Sequence, residues 1–116
     1  MGMFRDSSSP EIDIIKEMAE GLGSTGLRLE DLIEKSMAAR QEALEAIKQY
    51  HKHASDAGGS QISLANDLIR QYNVLVEQAE DTLRWLLIQR EACGFRTHRN
   101  VDRYYPIPAR MKLIKK

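Results

Sequence analysis

A seven-residue repeat of apolar side chains runs through residues 62–93 and constrains the fold more than any other feature. Its first row holds Ile62, Ile69, Val76 and Leu83, and its second row holds Ala65, Tyr72, Ala79, Leu86 and Cys93. Two rows at this spacing are typical of the a/d seam of a coiled coil. Leu68 and Leu75 widen the seam to the face that a helical bundle needs. The repeat therefore predicts a long helix, over 61–93, that packs lengthwise against another helix.

Residues 27–55 carry a second helical pattern with smaller side chains. Its core-facing positions are Leu29, Leu32, Ile33, Ser36, Ala39, Ala43, Ala46, Ile47, Tyr50 and Ala54. At about 1.5 Å per residue, helices over 27–55 and 61–93 are each about 43 to 50 Å long. The glycine-containing stretch 56–60 is a short connection, which favours antiparallel pairing. Tyr72 then lies near Ala43, so that large residues meet small ones.

A short first helix is predicted over residues 10–22. Ser9-Pro10-Glu11 begins it with a hydroxyl cap, a proline at the first helical position and an acid in the first turn. Gly21 and Gly23 are expected to end it, because glycine is common just after helices. The predicted fold class is all-α: a long, coiled-coil-like antiparallel hairpin with a short N-terminal helix, forming a domain over 1–94.

The end of the third predicted helix is apolar on all sides. Trp85, Leu86, Leu87 and Ile88 are consecutive, and four consecutive residues point all around a helix. Two interpretations stay open. The first helix packs on Trp85 and Ile88 through Ile12, Ile15, Met18 and Leu22, or these two residues form a surface for a second copy or another protein.

Charge divides the chain at Gly94. Residues 1–93 carry sixteen acidic and ten basic residues, whereas residues 94–116 carry one acidic and seven basic residues. The net charge of zero thus combines −6 and +6. A local field of this kind steers partners more than the net charge does. We therefore define residues 95–116 as a basic, aromatic C-terminal tail.

Cations and rings alternate along this tail. Its candidate partner-binding residues, added to Trp85 and Ile88, are Arg96, Arg99, Arg103, Tyr104, Tyr105 and Arg110. Asn100 is expected to cap one helical turn over 101–105, which stops at Pro106. The segment Tyr105-Pro-Ile-Pro108 favours an extended, polyproline-like chain.

Several destinations for the tail stay open. It docks on an acidic surface, of its own helices or of a second protomer, or it is a recognition arm for another protein. Alternatively it contacts nucleic acid, because arginine binds phosphates and aromatic rings stack on bases. Membrane contact through Met111, Leu113 and Ile114 is a further reading. If the tail is ordered on its own body, we expect Arg99 and Arg103 to form structural ion pairs.

No constellation of residues predicts catalysis or a cofactor. His51 and His53 are two residues apart, so their rings point to different sides of a helix and do not share a metal ion. Cys93 and His98 lack an orienting partner, and Cys93 falls on the apolar seam. No Glu-x-x-His pair of the kind used in di-metal bundles occurs in the sequence. The sequence therefore predicts a non-enzymatic protein without a metal or cofactor.

These observations predict a protein–protein interaction or assembly module. We expect it to be a homodimer whose tail supplies the specific contact, and the alternative is a small nucleic-acid-binding or regulatory protein that uses the same tail. No apolar run is long enough for a membrane span, and the first residues do not resemble a signal peptide. With one cysteine only, Cys93, a cytoplasmic location is expected.

Overall fold

The computed structural model describes residues 10–53 and 59–115, with side chains from Glu20 onward. Three helices occur in these ranges: α1 (Pro10–Lys52), α2 (Gly59–Ala92) and the single turn α3 (Val101–Tyr104). No β-strand is present in the described ranges. The predicted connection lies largely outside them, since nothing is described between His53 and Gly59.

The two long helices pack side by side as an antiparallel hairpin, which confirms the predicted all-α fold. Gly21 lies beside Gln89, near the end of α2, and Arg40 lies beside Tyr72, near its middle. The molecule is accordingly long and narrow, measuring 81 × 23 × 16 Å. We call the end where α2 terminates the open end of the hairpin.

The predicted seam of α2 faces α1. The buried residues of α2 are Ala65, Asn66, Ile69, Tyr72, Val76, Ala79, Thr82 and Leu86. Six of these belong to the two predicted rows, and their counterparts in α1 include the fully buried Leu29, Ser36 and Ala43. Burial along a row spaced by seven residues is the contact pattern expected of two helices packed lengthwise.

The predicted break between residues 22 and 27 is wrong, because α1 is continuous from Pro10 to Lys52. The chain stays helical through Gly21, Gly23 and Gly26, although each glycine costs up to about 1 kcal/mol relative to alanine. Burial of Thr25 and Leu29 against neighbouring elements offsets this cost. There is therefore no separate N-terminal helix, and α1 extends beyond the end of α2.

Gly94 caps the end of α2, directly after the end predicted at residue 93. Gly94 has φ +98°, the left-handed conformation that glycine adopts at little cost. The Phe95 amide donates to the Arg90 carbonyl and the Gly94 amide to the Glu91 carbonyl, both at 3.0 Å. These are the two bonds of a Schellman motif, and they turn the chain back towards the hairpin.

Beyond this cap, the tail packs on its own hairpin. Val101, at the start of α3, is only 7% exposed and joins the core cluster of Leu29 and Leu86. Tyr105 and Ile107 lie partly buried against the same cluster. The predicted helical turn is confirmed, but the predicted cap is not, since the Asn100 side chain makes no capping bond.

Candidate functional site: the tail groove and the open end

Residues 106–115 form an extended segment that lies along α2. Residue numbers increase along this docked segment as they decrease along α2, so the two chains run antiparallel. The residues of α2 that form hydrogen bonds with it are Asn66, Tyr72, Asn73 and Glu80, and we call the surface they line the tail groove. The structure therefore places the tail on its own helices.

Two asparagines hold the docked segment by its backbone. The Asn73 amide nitrogen donates to the Met111 carbonyl at 2.8 Å, and the Met111 amide donates to the Asn73 Oδ1 at 2.9 Å. Asn66 makes the same pair of bonds with Ile114, at 3.0 and 2.7 Å. Each side-chain amide thus satisfies both backbone groups of one residue, which would otherwise need water.

A tyrosine of the core row adds a fifth bond to the backbone. The Tyr72 hydroxyl donates to the Ala109 carbonyl at 2.6 Å, while the Tyr72 side chain is fully buried. Burial raises the pKa of this phenol, and the nearby Arg40 guanidinium opposes the shift only in part. The hydroxyl therefore stays protonated, as donation to a carbonyl requires.

One ion pair joins the docked segment to α2. Arg110 Nη2 lies 2.5 Å from Glu80 Oε1, and Arg110 Nε lies 3.2 Å from the same oxygen. The carboxylate raises the pKa of the Arg110 guanidinium. The Arg110 side chain is 53% exposed and that of Glu80 37%, so solvent screens the attraction and its contribution to stability is small.

The Tyr105 ring packs against α1 at Gly26, a residue without a side chain. A Cβ atom placed on Gly26 would lie 2.7 Å from the Tyr105 hydroxyl oxygen, well inside van der Waals contact. Gly26 is therefore the position that admits this ring. Tyr105 and Arg110, both predicted to bind a partner, contact their own hairpin in this structure.

The open end presents large apolar side chains to solvent. Trp85 is 55% exposed, Ile88 54%, Phe95 48% and Tyr104 74%. The predicted packing of Ile12, Ile15 and Met18 on Trp85 and Ile88 concerns side chains that lie outside the described ones. Exposed apolar groups of this size are a mark of contact surfaces when they gather at one end of a molecule.

Three arginines share this end. Arg96, Arg99 and Arg103 are exposed, and none forms an ion pair with another described residue. Among the described residues, the ion pairs expected for Arg99 and Arg103 do not form. The described contacts that hold the tail are backbone bonds to asparagine and apolar packing. We call Trp85, Ile88, Phe95, Arg96, Arg99, Arg103 and Tyr104 the open-end residues.

Two hollows flank α3. The larger, of about 370 Å³, is lined by Leu22, Gly23, Glu30, Leu86, Arg90, Phe95, Val101, Tyr104 and Tyr105. The smaller, of about 200 Å³, is lined by Arg90, Thr97, Arg99, Asn100, Val101 and Tyr104. Arg90 is fixed between them, because it stacks on the Phe95 ring at 4.5 Å and donates to the Thr97 carbonyl and to His98.

The residues considered for metal binding or thiol chemistry are engaged elsewhere. His98 contacts Arg90 and Glu91 rather than the half-buried Cys93. Among the side chains that the structure describes, no three His, Cys, Asp or Glu residues are grouped closely enough to hold a metal ion. Asp56, which is close to His51 and His53 in the sequence, lies outside the described residues.

Sequence reasoning missed the residues that bind the docked segment. Asn66 and Asn73 are seven residues apart, beside the apolar seam of α2. A signal was present, because asparagine is a poor helix former and two occupy one position of the repeat. The residues to which they bond were not predictable, since these lie 38 and 48 positions away in the sequence.

Comparisons with known proteins identify no relative. No family model matches the chain, and no curated protein or solved structure is significantly similar to it.

None of the described helices is both long enough and apolar enough to span a membrane.

Proposed function

We propose that this protein is a non-enzymatic interaction or assembly module whose contact surface is formed by the open-end residues. The observation that carries the proposal is the exposure of Trp85, Ile88 and Tyr104, each more than half exposed, at the end of the molecule that also carries three exposed arginines. Aromatic residues and arginine are the side chains most enriched in the energetic centres of protein interfaces. The proposed contact surface does not include the whole tail, because residues 106–115 are already bound in the tail groove.

We propose that the first partner is a second copy of the chain. The open end exposes apolar area that a single hairpin does not cover. Two such ends packed together would form a four-helix contact that buries it. This arrangement supports the predicted homodimer and a coiled-coil-like pairing. The single cysteine supports a cytoplasmic setting.

Sedimentation of the full chain tests this proposal. We expect a concentration-dependent dimer at about 10–100 µM, and we expect Trp85→Ser with Ile88→Ser to shift it to monomer. Leu64→Ser is the matched control, because Leu64 is 56% exposed but lies near the other end of α2. A wild-type chain that stays monomeric at these concentrations excludes self-association.

The second candidate function is nucleic-acid binding. It is favoured by the position of Arg96, Arg99 and Arg103 beside the exposed rings of Phe95 and Tyr104. Binding of the full chain to single-stranded DNA and to RNA, measured at two salt concentrations, tests this function. Salt-dependent binding that Arg99→Glu and Arg103→Glu remove, without a change in oligomeric state, would favour this function over assembly.

A further inference from the structure

The tail groove forms most of its hydrogen bonds with the backbone of the docked segment and few with its side chains. Five hydrogen bonds join the groove to Ala109, Met111 and Ile114, and all five involve backbone N–H or C=O groups of the docked segment. Two side chains of the docked segment also make contact, since Arg110 pairs with Glu80 and Ile107 packs partly buried against the core cluster. Bonds of this kind are available from any extended polypeptide with free backbone groups at the right spacing.

The spacing of the two asparagines favours an extended segment over a helical one. Asn66 and Asn73 are seven residues apart, which is about 10.5 Å along a helix. Met111 and Ile114 are three residues apart, and a polyproline-type extended chain advances about 9.3 Å per three-residue turn and returns to the same side. An extended segment therefore meets both asparagines in register, whereas a helix, which rises about 4.5 Å over three residues, does not.

The docked segment is separable from the core. Val101 is the last buried residue in the described part of the chain, and none of residues 106–115 is fully buried, Ile107 being partly buried against the core cluster. Lys112, Leu113 and Lys115 point largely to solvent. Loss of this segment from the groove leaves the buried seam between α1 and α2 in place, so another chain can replace it without unfolding the hairpin.

We propose that the tail groove is a peptide-binding site that the chain's own residues 106–115 occupy, and that a partner protein binds there through an extended, polyproline-type segment. Asn66 and Asn73 bind two partner residues three apart, neither of which is proline. Between these positions and before them proline is accepted. A basic side chain next to the first of them, as Arg110 precedes Met111, pairs with Glu80. This proposal concerns a surface separate from the open-end residues and stands independently of the proposed function.

A full-chain variant that releases its own tail provides the test. Met111→Pro and Ile114→Pro remove the two N–H donors to Asn73 and Asn66 without altering the groove. The probe is a fluorescent peptide with the wild-type sequence of residues 106–116, and binding is followed by anisotropy. We expect the double-proline chain to bind it at least about tenfold more tightly than the wild-type chain, whose own tail competes at a millimolar effective concentration.

Two controls assign the binding to the groove. Adding Asn66→Ala and Asn73→Ala to the double-proline chain should weaken binding at least tenfold, because four backbone bonds are lost. A peptide that carries the same two prolines should not bind. Circular dichroism establishes that each variant keeps its helices.

Two results would overturn the proposal. One is a helical double-proline chain that does not bind the wild-type peptide, or binds it equally well without the asparagines. The other is a wild-type dimer, seen by size exclusion, that the peptide dissociates. That outcome would identify the occupant as the tail of a second copy rather than a separate partner.

Discussion

Single side chains on α2 decide where the tail lies. Asn66, Tyr72 and Asn73 together satisfy five backbone groups of the docked segment, and a neutral hydrogen bond of this kind contributes about 1 kcal/mol. The exposed pair between Arg110 and Glu80 adds little by comparison. Directional bonds rather than the difference in charge between tail and body therefore hold the segment in place.

Tyr72→Phe should lower the free energy of unfolding by about 1 kcal/mol, because it removes the donor to the Ala109 carbonyl. Since burial raises the pKa of this phenol, the unfolded chain loses the proton first as the pH rises. The contribution of Tyr72 is thus fully present below its ordinary pKa of about 10 and decreases above it. Urea unfolding of both chains between pH 7 and 11 measures this difference.

Tyr104→Phe is the control for this series. Tyr104 is 74% exposed, and its hydroxyl makes no hydrogen bond with the described part of the chain. This substitution should change stability by less than about 0.5 kcal/mol at neutral pH. Equal effects of the two substitutions would contradict a specific role for the Tyr72 hydroxyl.

The continuity of α1 is the main feature at the level of elements. Three glycines within six residues predict a break, yet the helix passes through Gly21, Gly23 and Gly26. Their environments differ. A Cβ on Gly26 would meet the Tyr105 hydroxyl at 2.7 Å, whereas outside its own stretch of helix no described atom lies within 4 Å of one on Gly23. Gly26 thus has a packing role that Gly23 lacks.

Alanine substitution should separate these two glycines. Gly23→Ala should stabilise the protein by up to about 1 kcal/mol, because alanine favours a helix interior. Gly26→Ala should destabilise it by about 1–3 kcal/mol, because the new methyl group displaces the Tyr105 ring. Thermal or urea unfolding followed by circular dichroism measures both changes.

Tyr105→Phe tests the cause of the Gly26 effect. It removes the oxygen that lies 2.7 Å from the added Cβ and leaves the nearest ring carbon at 3.7 Å, an ordinary contact. Gly26→Ala should then cost little or become stabilising. If its cost is unchanged in the Tyr105→Phe background, the clash is not its source.

The whole molecule consists of a hairpin and a tail that differ in how they are held. The hairpin buries a continuous seam between α1 and α2, whereas residues 106–115 contribute hydrogen bonds and no buried side chain. Segments with few buried apolar contacts open at lower free energy than the core. We therefore expect the docked segment to open while the hairpin stays folded.

Hydrogen exchange should reveal these two levels of stability. In the wild-type chain, the amides of Met111 and Ile114 should exchange more slowly than that of Lys112, because only they donate to asparagine. In Asn73→Ala, protection of Met111 should fall by about tenfold or more. Core amides such as Val76 should change by less than about twofold, and a parallel loss there would show that tail and hairpin open together.

Much of the hairpin was predictable because its determinants are local or periodic. The seven-residue rows of α2, the glycine cap at Gly94 and the helical turn before Pro106 all follow from neighbouring residues and backbone preferences. The break at Gly21 and Gly23 was predicted wrongly because tertiary packing outweighs a propensity of about 1 kcal/mol per residue. All of the open-end residues except Phe95 were predicted as partner-binding residues, while their exposure required the structure.

The amino-acid sequence alone determined that two long helices pair along an apolar seam and that a basic, aromatic tail leaves their open end. Periodicity specifies a helix face without reference to any distant residue. Only the tertiary structure decided where the tail goes. Its contacts join Asn66 to Ile114 and Gly26 to Tyr105, pairs that are far apart in sequence and matched by geometry rather than by composition. Backbone hydrogen bonds of this kind leave no pattern in the side chains of the segment they bind.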